Sequence, residues 1–388
     1  MRSSITNKKA HLGRWLIAGG VVAGLALAAC GSDDTSDSTQ SPTTPAAAAT
    51  TAVGGGAVTT AAAGSTPGAA AQDGVFPVTI KHKFGESTVP KEPTRVITVG
   101  FNEQDEVLAL GVQPLAIRDW YGDQPYAVWP WAVAALGDAK PTVLPSDALN
   151  FEQIASLQPD LILGVSSGMT QDDYDKLSKI APTIAQSGDV VDYGESWQDA
   201  TLTIGQALGK AKTAQDLVAD TEAKIAATAA AHPEFAGKST AVAFFFNDLP
   251  GAYSSVDVRS RLMTGLGFVI PEAIDQAAGD AFYASFSAEQ IDLLDVDALV
   301  WIADIGEQGA IVASPLRNGL DAVKQGREVW VSDILAGAMS FSSPLSIPYV
   351  LEHLPAELKA AVDGDPSTPV PSAQAIGTAS SVPATTTG

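Results

Sequence analysis

The chain has 388 residues, of which 22 are basic and 44 are acidic, and its formal net charge is −22. Such an excess of negative charge argues against charge-driven binding to nucleic acid or to an anionic membrane surface. The length exceeds what one simple hydrophobic core supports, and it predicts two lobes. The single cysteine excludes a disulfide bond within the chain.

The first 29 residues are typical of a secretion signal. Basic residues precede an uncharged apolar run at positions 15–29, which is short for a bilayer span and suits a signal-peptide core. The run ends Leu-Ala-Ala-Cys, and this ending resembles the lipobox of bacterial lipoproteins, which are lipidated on the cysteine. We therefore expect a signal peptide at 1–29 and a lipid on Cys30. The lipid would anchor the protein to the cell membrane on its extracytoplasmic face.

Segments of low complexity flank the region that we expect to fold. Residues 31–74 are mainly Ala, Thr, Ser, Gly and Pro, and residues 363–388 have a similar composition. Too few large apolar side chains are present to offset the entropy lost on ordering. We therefore expect a disordered tether at 30–74 and a disordered tail at 363–388.

Between these segments, two units alternate strands with helices. In residues 75–209, short apolar strands at 95–99, 114–119, 160–165 and 182–186 are separated by helical segments. A long helix at 210–232, capped by Thr213, is predicted next. Residues 233–362 repeat the pattern, with strands at 239–246, 298–303 and 328–331. The sequence predicts two doubly wound α/β lobes joined by one long helix.

The two units share a repeated phrase. Residues 150–163 read NFEQIASLQPDLIL and residues 287–300 read SAEQIDLLDVDALV. The shared Ile, Leu and Asp have structural explanations, because they pack one helix face and form the turn before a strand. Glu152 and Glu289 begin the two helices, where the helix dipole favours an acid by only about 0.3–1 kcal/mol. The two glutamates either stabilise the helix starts through the helix dipole or contact a partner, and the residues alone leave both interpretations open.

The order of these elements, with segments such as LMTGLGF and FSSPLSIPYVL, resembles the iron–siderophore and cobalamin substrate-binding proteins of bacterial ABC importers. The resemblance covers residues 75–362. It implies a monomeric binding protein rather than an enzyme, with a ferric siderophore as its ligand and no cofactor. It also implies that Glu152 and Glu289 dock onto arginines of the two permease subunits.

A ligand is expected in the cleft between the lobes, at the carboxyl ends of the strands. Three of the seven tryptophans fall in the loop at 120–131, which predicts an aromatic binding wall. Arginines near the cleft can donate forked hydrogen bonds to siderophore oxygens. Arg259 and Arg261 cannot both point the same way on a helix. The candidate ligand-binding residues are Arg118, Trp120, Tyr121, Trp129, Trp131, Tyr253, Arg259, Arg261, Phe341 and Ser342.

Other ligands of the same cleft remain open. A haem receptor would need an axial ligand, which Tyr121, Tyr126 or Tyr253 could supply. A cobalamin receptor and a non-transport lipoprotein that keeps the fold are further alternatives.

Metal-ion receptors and hydrolases fit the sequence less well. A zinc or manganese receptor would need converging histidines, whereas His82, His232 and His353 are far apart in the sequence. Residues 164–168 match the hydrolase pattern G-x-S-x-G, but one of these histidines would have to reach Ser166. We expect neither a metal site nor catalytic residues.

Overall fold

The computed structural model describes residues 71–246, 249–303 and 305–376. The predicted signal peptide, Cys30 and nearly all of the predicted tether lie outside these residues. The strands are β1 (Val78–His82), β2 (Gly85–Val89), β3 (Val96–Thr98), β4 (Ala116–Arg118), β5 (Thr142–Leu144), β6 (Leu161–Gly164), β7 (Thr183–Ala185), β8 (Thr240–Phe246), β9 (Leu249–Tyr253), β10 (Tyr283–Ser285), β11 (Ala298–Ile302) and β12 (Glu328–Val331).

The helices alternate with these strands. They are α1 (Gln104–Ala109), α2 (Val133–Leu136), α3 (Phe151–Ser156), α4 (Gln171–Leu177), α5 (Trp197–Ala207), α6 (Ala211–Ala231), α7 (Val258–Gly265), α8 (Glu272–Ala278), α9 (Ile305–Ala313), α10 (Pro315–Gly319), α11 (Asp321–Lys324), α12 (Asp333–Phe341), α13 (Ser346–His353), α14 (Pro355–Val362) and α15 (Pro371–Ala375). Short 3-10 helices lie at Pro125–Ala127, Pro130–Ala132, Pro233–Phe235 and Ala288–Leu294.

The N-terminal lobe is built on a parallel sheet with the strand order β5-β4-β3-β6-β7. Both faces of this sheet are covered, because alternate residues of one strand join different clusters. Val96 and Leu161 pack with Ile204 of α5, whereas Ile97 and Ile162 belong to the cluster on the other face. The strand order reverses between β3 and β6, so a crevice opens at their carboxyl ends.

The C-terminal lobe contains a mixed sheet with the order β10-β9-β8-β11-β12. Strands β8, β11 and β12 are parallel, as predicted, whereas β9 and β10 run antiparallel to their neighbours. The sequence did not reveal β9, because its residues LPGAY include proline and glycine, which are unusual inside strands. The predicted class of two α/β lobes joined by a long helix is confirmed.

Helix α6 connects the lobes. Ala214 near its start belongs to a core cluster of the N-terminal lobe, whereas Val218 and Ile225 belong to the C-terminal core. The helix begins two residues before the predicted cap Thr213. The cap is instead Asp73, whose carboxylate accepts hydrogen bonds from the Lys212 amide at 2.8 Å and from the Thr213 hydroxyl at 2.5 Å. An acid supplied from outside the helix therefore satisfies its first amides.

The folded region is longer at both ends than the composition predicted. Gly74, placed in the predicted tether, donates a backbone hydrogen bond of 2.8 Å to Gly209. In the predicted tail, Val370 and Ala373 are buried, and the Ser372 hydroxyl accepts a bond of 3.0 Å from the Trp330 amide. A few apolar side chains suffice to hold these segments because they pack on a surface that is already formed.

The repeated phrase has the same structural role in both lobes. Asp160 accepts a hydrogen bond of 2.7 Å from the Arg95 amide just before β3, and Asp297 accepts one of 2.8 Å from the Ser239 amide just before β8. Each aspartate thus ties the turn before its own strand to the start of the neighbouring strand. The Asp positions of the repeat are explained by the fold.

A buried ion pair stabilises the C-terminal lobe. Arg317 donates two hydrogen bonds to the carboxylate of Glu328, and Trp301 donates a third at 2.8 Å. All three side chains are buried. We expect Glu328→Ala to lower the free energy of unfolding by about 3–5 kcal/mol, because it leaves a buried guanidinium without a counter-charge.

Urea denaturation of the variant checks this expectation. The matched control is Glu352→Ala, which removes an exposed glutamate from the same lobe and should change stability by less than about 0.5 kcal/mol. If the two substitutions lowered the free energy of unfolding equally, the buried ion pair would not be a special source of stability.

Candidate ligand-binding cleft and docking surface

The crevice at the switch point of the N-terminal sheet holds a carboxylate of the chain itself. Glu103 accepts hydrogen bonds from the amides of Gly100, at 2.7 Å, and of Ser166, at 2.8 Å, which follow β3 and β6. A Cβ at position 100 would collide with this carboxylate, so the arrangement requires glycine. Burial raises the pKa of Glu103 to about 7.

Arg118 lies at the end of β4, as predicted, but its guanidinium is turned into the protein. Its Nη1 donates to the carbonyl of Val99 at 3.1 Å, and its Nη2 donates to that of Ser146 at 2.9 Å. The group lies 4.4 Å from the ring centre of Phe101. Only 8% of Arg118 is exposed. The residue therefore fixes the loops around the crevice.

The aromatic loop divides into an open part and a closed part. Trp120 and Tyr121 are half-buried and contact each other edge to face, with ring centres 4.8 Å apart. Trp129 is buried and stacks on Trp131 at 5.0 Å. Trp120 and Tyr121 can contact a ligand directly, whereas the buried Trp129 shapes the wall behind them.

The predicted C-terminal segment packs against this loop. Phe341 is buried, and its ring centre lies 5.4–5.9 Å from those of Trp120, Trp129 and Trp131. Ser342 is also buried and donates a hydrogen bond of 2.7 Å to the carbonyl of Met339. The structure thus brings together residues that are some 200 positions apart.

The facing wall of the C-terminal lobe carries Tyr253 and Arg259. The guanidinium of Arg259 lies 4.1 Å from the ring centre of Tyr253 and pairs with Asp257 at 2.8 Å. This ion pair raises the pKa of Arg259 above its ordinary value. Arg261 is more exposed than Arg259.

Direct bonds join the lobes beside these walls. Asn102 donates a hydrogen bond of 3.0 Å to the carbonyl of Phe341, and the hydroxyl of Ser343 donates one of 2.6 Å to Asp105. Trp131 donates to the same carboxylate at 2.7 Å. Burial raises the pKa of Asp105 to about 6. The bonds from Asn102 and to Asp105 therefore link the start of α1 in the N-terminal lobe to the C-terminal lobe.

Several residues of this region were missed by sequence reasoning. Glu103, Asp105 and Asp257 were not among the candidate residues. Tyr193 and Phe282 contact each other with ring centres 5.8 Å apart, from opposite lobes. The only signal for the acids was their density in the segment NEQDE, which follows a buried strand.

The two repeated glutamates lie on the surface. Glu152 is exposed in the first turn of α3, which Asn150 caps through a hydrogen bond of 3.0 Å from the Gln153 amide. Glu289 is exposed in the first turn of the 3-10 helix, which Ser287 caps. In the second helix, the amide and the hydroxyl of Ser287 both donate to the side-chain oxygen of Gln290, so the bonds at both helix starts are made by other residues. Neither glutamate is therefore needed to cap its helix.

The three histidines in the described part of the chain bond to groups other than Ser166. His82 bonds to Ser87 at 3.0 Å, His232 bonds to Glu234 at 3.1 Å, and His353 bonds to the carbonyl of Tyr349. The backbone amide of Ser166 donates a hydrogen bond to the carboxylate of Glu103. No group of three or more His, Cys, Asp or Glu side chains that could hold a metal ion occurs within the described residues.

Comparisons with known proteins define the class. A profile of the periplasmic binding protein family matches residues 97–329. The probable siderophore-binding lipoprotein YfiY of Bacillus subtilis is 28% identical over 273 residues, which are 66% of this chain and 81% of that protein. A periplasmic solute binding protein from Mycobacterium smegmatis has a TM-score of 0.67 and 34% identity, over 74% of this chain and 98% of that one. PiaA of Streptococcus pneumoniae, solved with ferrichrome, has a TM-score of 0.65 and 30% identity, over 74% and 99% of the two chains.

The chain therefore belongs to the periplasmic binding protein family, and its predicted resemblance to the siderophore-type members of ABC importers is confirmed. These proteins bind substrates and are not enzymes, and their ligand takes the place of a cofactor. Within the part of the chain that the structure covers, no helix is both long and apolar enough to cross a membrane.

Proposed function

We propose that the protein is a receptor, anchored by a lipid on Cys30, that binds a ferric siderophore and delivers it to an ABC importer. The binding site is the cleft between the lobes. Trp120 and Phe341 carry this assignment, because they come from opposite lobes and their ring centres lie 5.6 Å apart. Tyr121 beside Trp120 and Tyr253 beneath Arg259 extend the two walls.

The ten candidate residues have different roles in this proposal. Trp120, Tyr121, Tyr253 and Arg261 are partly exposed and offer direct contacts to the ligand. The buried residues set the shape of the walls behind them; they are Arg118, Trp129, Arg259, Phe341 and Ser342. Trp131 is partly exposed and links the aromatic loop to Asp105.

Delivery rests on Glu152 and Glu289. Each is an exposed acid in the first turn of the short helix that precedes a central strand of its lobe, β6 or β11. A pair of acids on a pair of related lobes matches a permease made of two related subunits. The receptor acts as a monomer in this scheme, with one glutamate for each subunit.

Tryptophan fluorescence tests the ligand assignment. Because Trp120 lies at the open part of the loop, titration with a ferric siderophore should quench emission saturably. A panel of ferric siderophores, haem and cobalamin identifies the class. Quenching by haem or cobalamin alone would contradict the siderophore assignment, and so would the absence of quenching by every iron complex.

Trp120→Ala should weaken binding of the ferric siderophore roughly tenfold, because a half-buried aromatic contact in a cleft is typically worth more than about 1 kcal/mol. The matched control is Trp330→Phe, which removes a tryptophan from the core of the C-terminal lobe and should leave the affinity unchanged. Isothermal titration calorimetry measures both variants independently of fluorescence. Unchanged affinity of Trp120→Ala would exclude this wall from the site.

A further inference from the structure

A row of three aromatic rings in the N-terminal lobe touches the C-terminal lobe at each of its ends. Tyr193 stacks on Phe101 with ring centres 6.1 Å apart, and Phe101 stacks on Trp120 at 5.7 Å. At one end of the row, Trp120 contacts Phe341. At the other end, Tyr193 contacts Phe282 with ring centres 5.8 Å apart and the rings edge to face. Both terminal partners belong to the C-terminal lobe.

The two ends of the row are held in different ways. Beside Phe341, hydrogen bonds join the lobes from Asn102 to its carbonyl, at 3.0 Å, and from Ser343 to Asp105, at 2.6 Å. Hydrogen bonds hold their partners within a narrow range of distance and angle, whereas aromatic pairs remain favourable over centre distances of about 4.5–7 Å. The ring contact at the other end is therefore the contact that separates more easily.

Tyr193 is carried by a surface loop whose ends are tied together. The amide of Ser187 donates to the carboxylate of Glu195 at 2.7 Å, so residues 187–195 form a compact loop. Tyr193 has a φ of 65°, a left-handed conformation that is costly for a residue with a side chain. A Cβ on Gly168 would collide with its hydroxyl. The loop thus places a ring that is 38% exposed against the opposite lobe.

Phe282 is fixed more firmly than Tyr193. Its carbonyl accepts a hydrogen bond of 2.9 Å from the Ser254 amide, and the Ser254 hydroxyl donates to the carbonyl of Ala281 at 3.1 Å. Its ring also contacts that of Tyr283, with centres 4.9 Å apart, and Tyr283 belongs to β10 of the mixed sheet. Separation of the two rings therefore requires movement of the loop that carries Tyr193, or of one lobe relative to the other.

We propose that Tyr193 and Phe282 form a gate at this end of the cleft, and that the gate sets how fast a ligand enters and leaves. This inference rests on the proposed function of the cleft. The gate joins the lobes beside the wall formed by Phe101 and Trp120, so a bulky iron complex passes when the two rings separate. Because entry and release require the same separation, the gate changes both rate constants in the same direction and leaves the dissociation constant nearly unchanged.

Stopped-flow fluorescence of the full purified chain tests the gate. The probes are ferrichrome, ferric citrate and ferric enterobactin, and the signal is the quenching of tryptophan emission. For each complex that binds, Tyr193→Ala should raise the association and dissociation rate constants about fivefold each, as expected for the loss of a ring contact of about 1 kcal/mol, and the dissociation constant should stay within about twofold. Phe282→Ala should have the same effect, and the double variant should add little to it.

The control is Tyr174→Ala, which removes a tyrosine of the same lobe that stacks on Phe84, with ring centres 5.0 Å apart, at the turn between β1 and β2. Its rate constants should match those of the unmodified chain, and thermal unfolding confirms that each variant folds. An increase confined to the dissociation rate constant would make Tyr193 a ligand contact and overturn the gate. Unchanged rate constants in folded Tyr193→Ala would also overturn it and leave the siderophore function standing.

Acrylamide quenching of tryptophan emission tests the gate without any ligand. Tyr193→Ala should increase the quenching constant, because acrylamide then reaches Trp120 more easily, and the increase should disappear when Trp120 is also replaced by phenylalanine. Absence of the increase would overturn the gate whatever the ligand is. If the increase occurs but none of the iron complexes binds, the gate stands and the proposed siderophore function is overturned.

Discussion

Replacement of both Glu152 and Glu289 by alanine should abolish uptake of the iron complex while the affinity of the purified receptor stays within about twofold of its original value. Both side chains are exposed and lie outside the cleft walls, so the ligand site is untouched. At an interface with the permease, loss of one partner of a buried charge pair costs about 2–5 kcal/mol. Two such losses would remove nearly all productive docking, and each single substitution should reduce uptake partially.

Uptake of a radiolabelled iron complex by cells that carry the variant as their only receptor measures this effect. The control is the double variant Glu92→Ala/Glu352→Ala, which removes one exposed glutamate from each lobe at other positions. It should transport normally. Normal transport by the Glu152/Glu289 variant would show that these acids serve only the helix dipole.

The second large effect is expected from pH. The stability of the protein should fall by several kcal/mol as the pH rises from about 5 to about 8. Burial raises the pKa of Asp105 to about 6 and that of Glu103 to about 7, and it raises that of Glu106 well above its ordinary value. The like charges of Asp105 and Glu103 contribute to the shift at Glu106. The three acids follow each other at the start of α1, and all are buried.

The sign follows from proton binding. An acid whose pKa is higher in the folded state than in the unfolded state holds more protons when folded between the two values. Stability therefore decreases as the pH rises through that window, by up to about 1.4 kcal/mol per pH unit for each group. For Glu103 the window extends from about 4.5 to about 7, and for Asp105 it extends from about 4 to about 6.

Urea denaturation at several pH values measures this dependence. Glu106→Gln should flatten the profile and stabilise the protein at pH 8, because it removes a buried acid whose pKa is raised by folding and whose Oε2 has no hydrogen-bond partner. Asp172→Asn removes an exposed acid from α4 and should leave the profile unchanged. A stability independent of pH between 5 and 8 would contradict the charge burial on which this prediction depends.

The pattern of the sequence was sufficient for the architecture. The strands β3, β6 and β12 and the helix α6 were predicted within two residues, because their apolar periods and glycine or proline boundaries are local signals. The antiparallel strand β9 and the ordered segment around Val370 were not predicted. Both are stabilised by neighbours that are distant in the sequence, which a local pattern does not contain.

The candidate site shows the same division. The aromatic loop, the arginines and the repeated glutamates were visible in the sequence as residue types in a suggestive order. Their orientation was not visible: Arg118 turns inward to Val99 and Ser146, and Phe341 inserts among tryptophans of the other lobe. Spacing in the chain says which residues end a strand, but the direction of a side chain depends on which acceptors and rings surround it.

By itself, the sequence determined that this protein has two α/β lobes, a long connecting helix and an acid at the same place in each lobe. Local periodicity and a repeat are enough for those conclusions. Only the tertiary structure decided that Glu103 occupies the amides of the crevice and that Asp257 pairs with Arg259. Whether a charge is free or neutralised depends on atoms within about 3–4 Å in space, and the order of residues does not specify those neighbours.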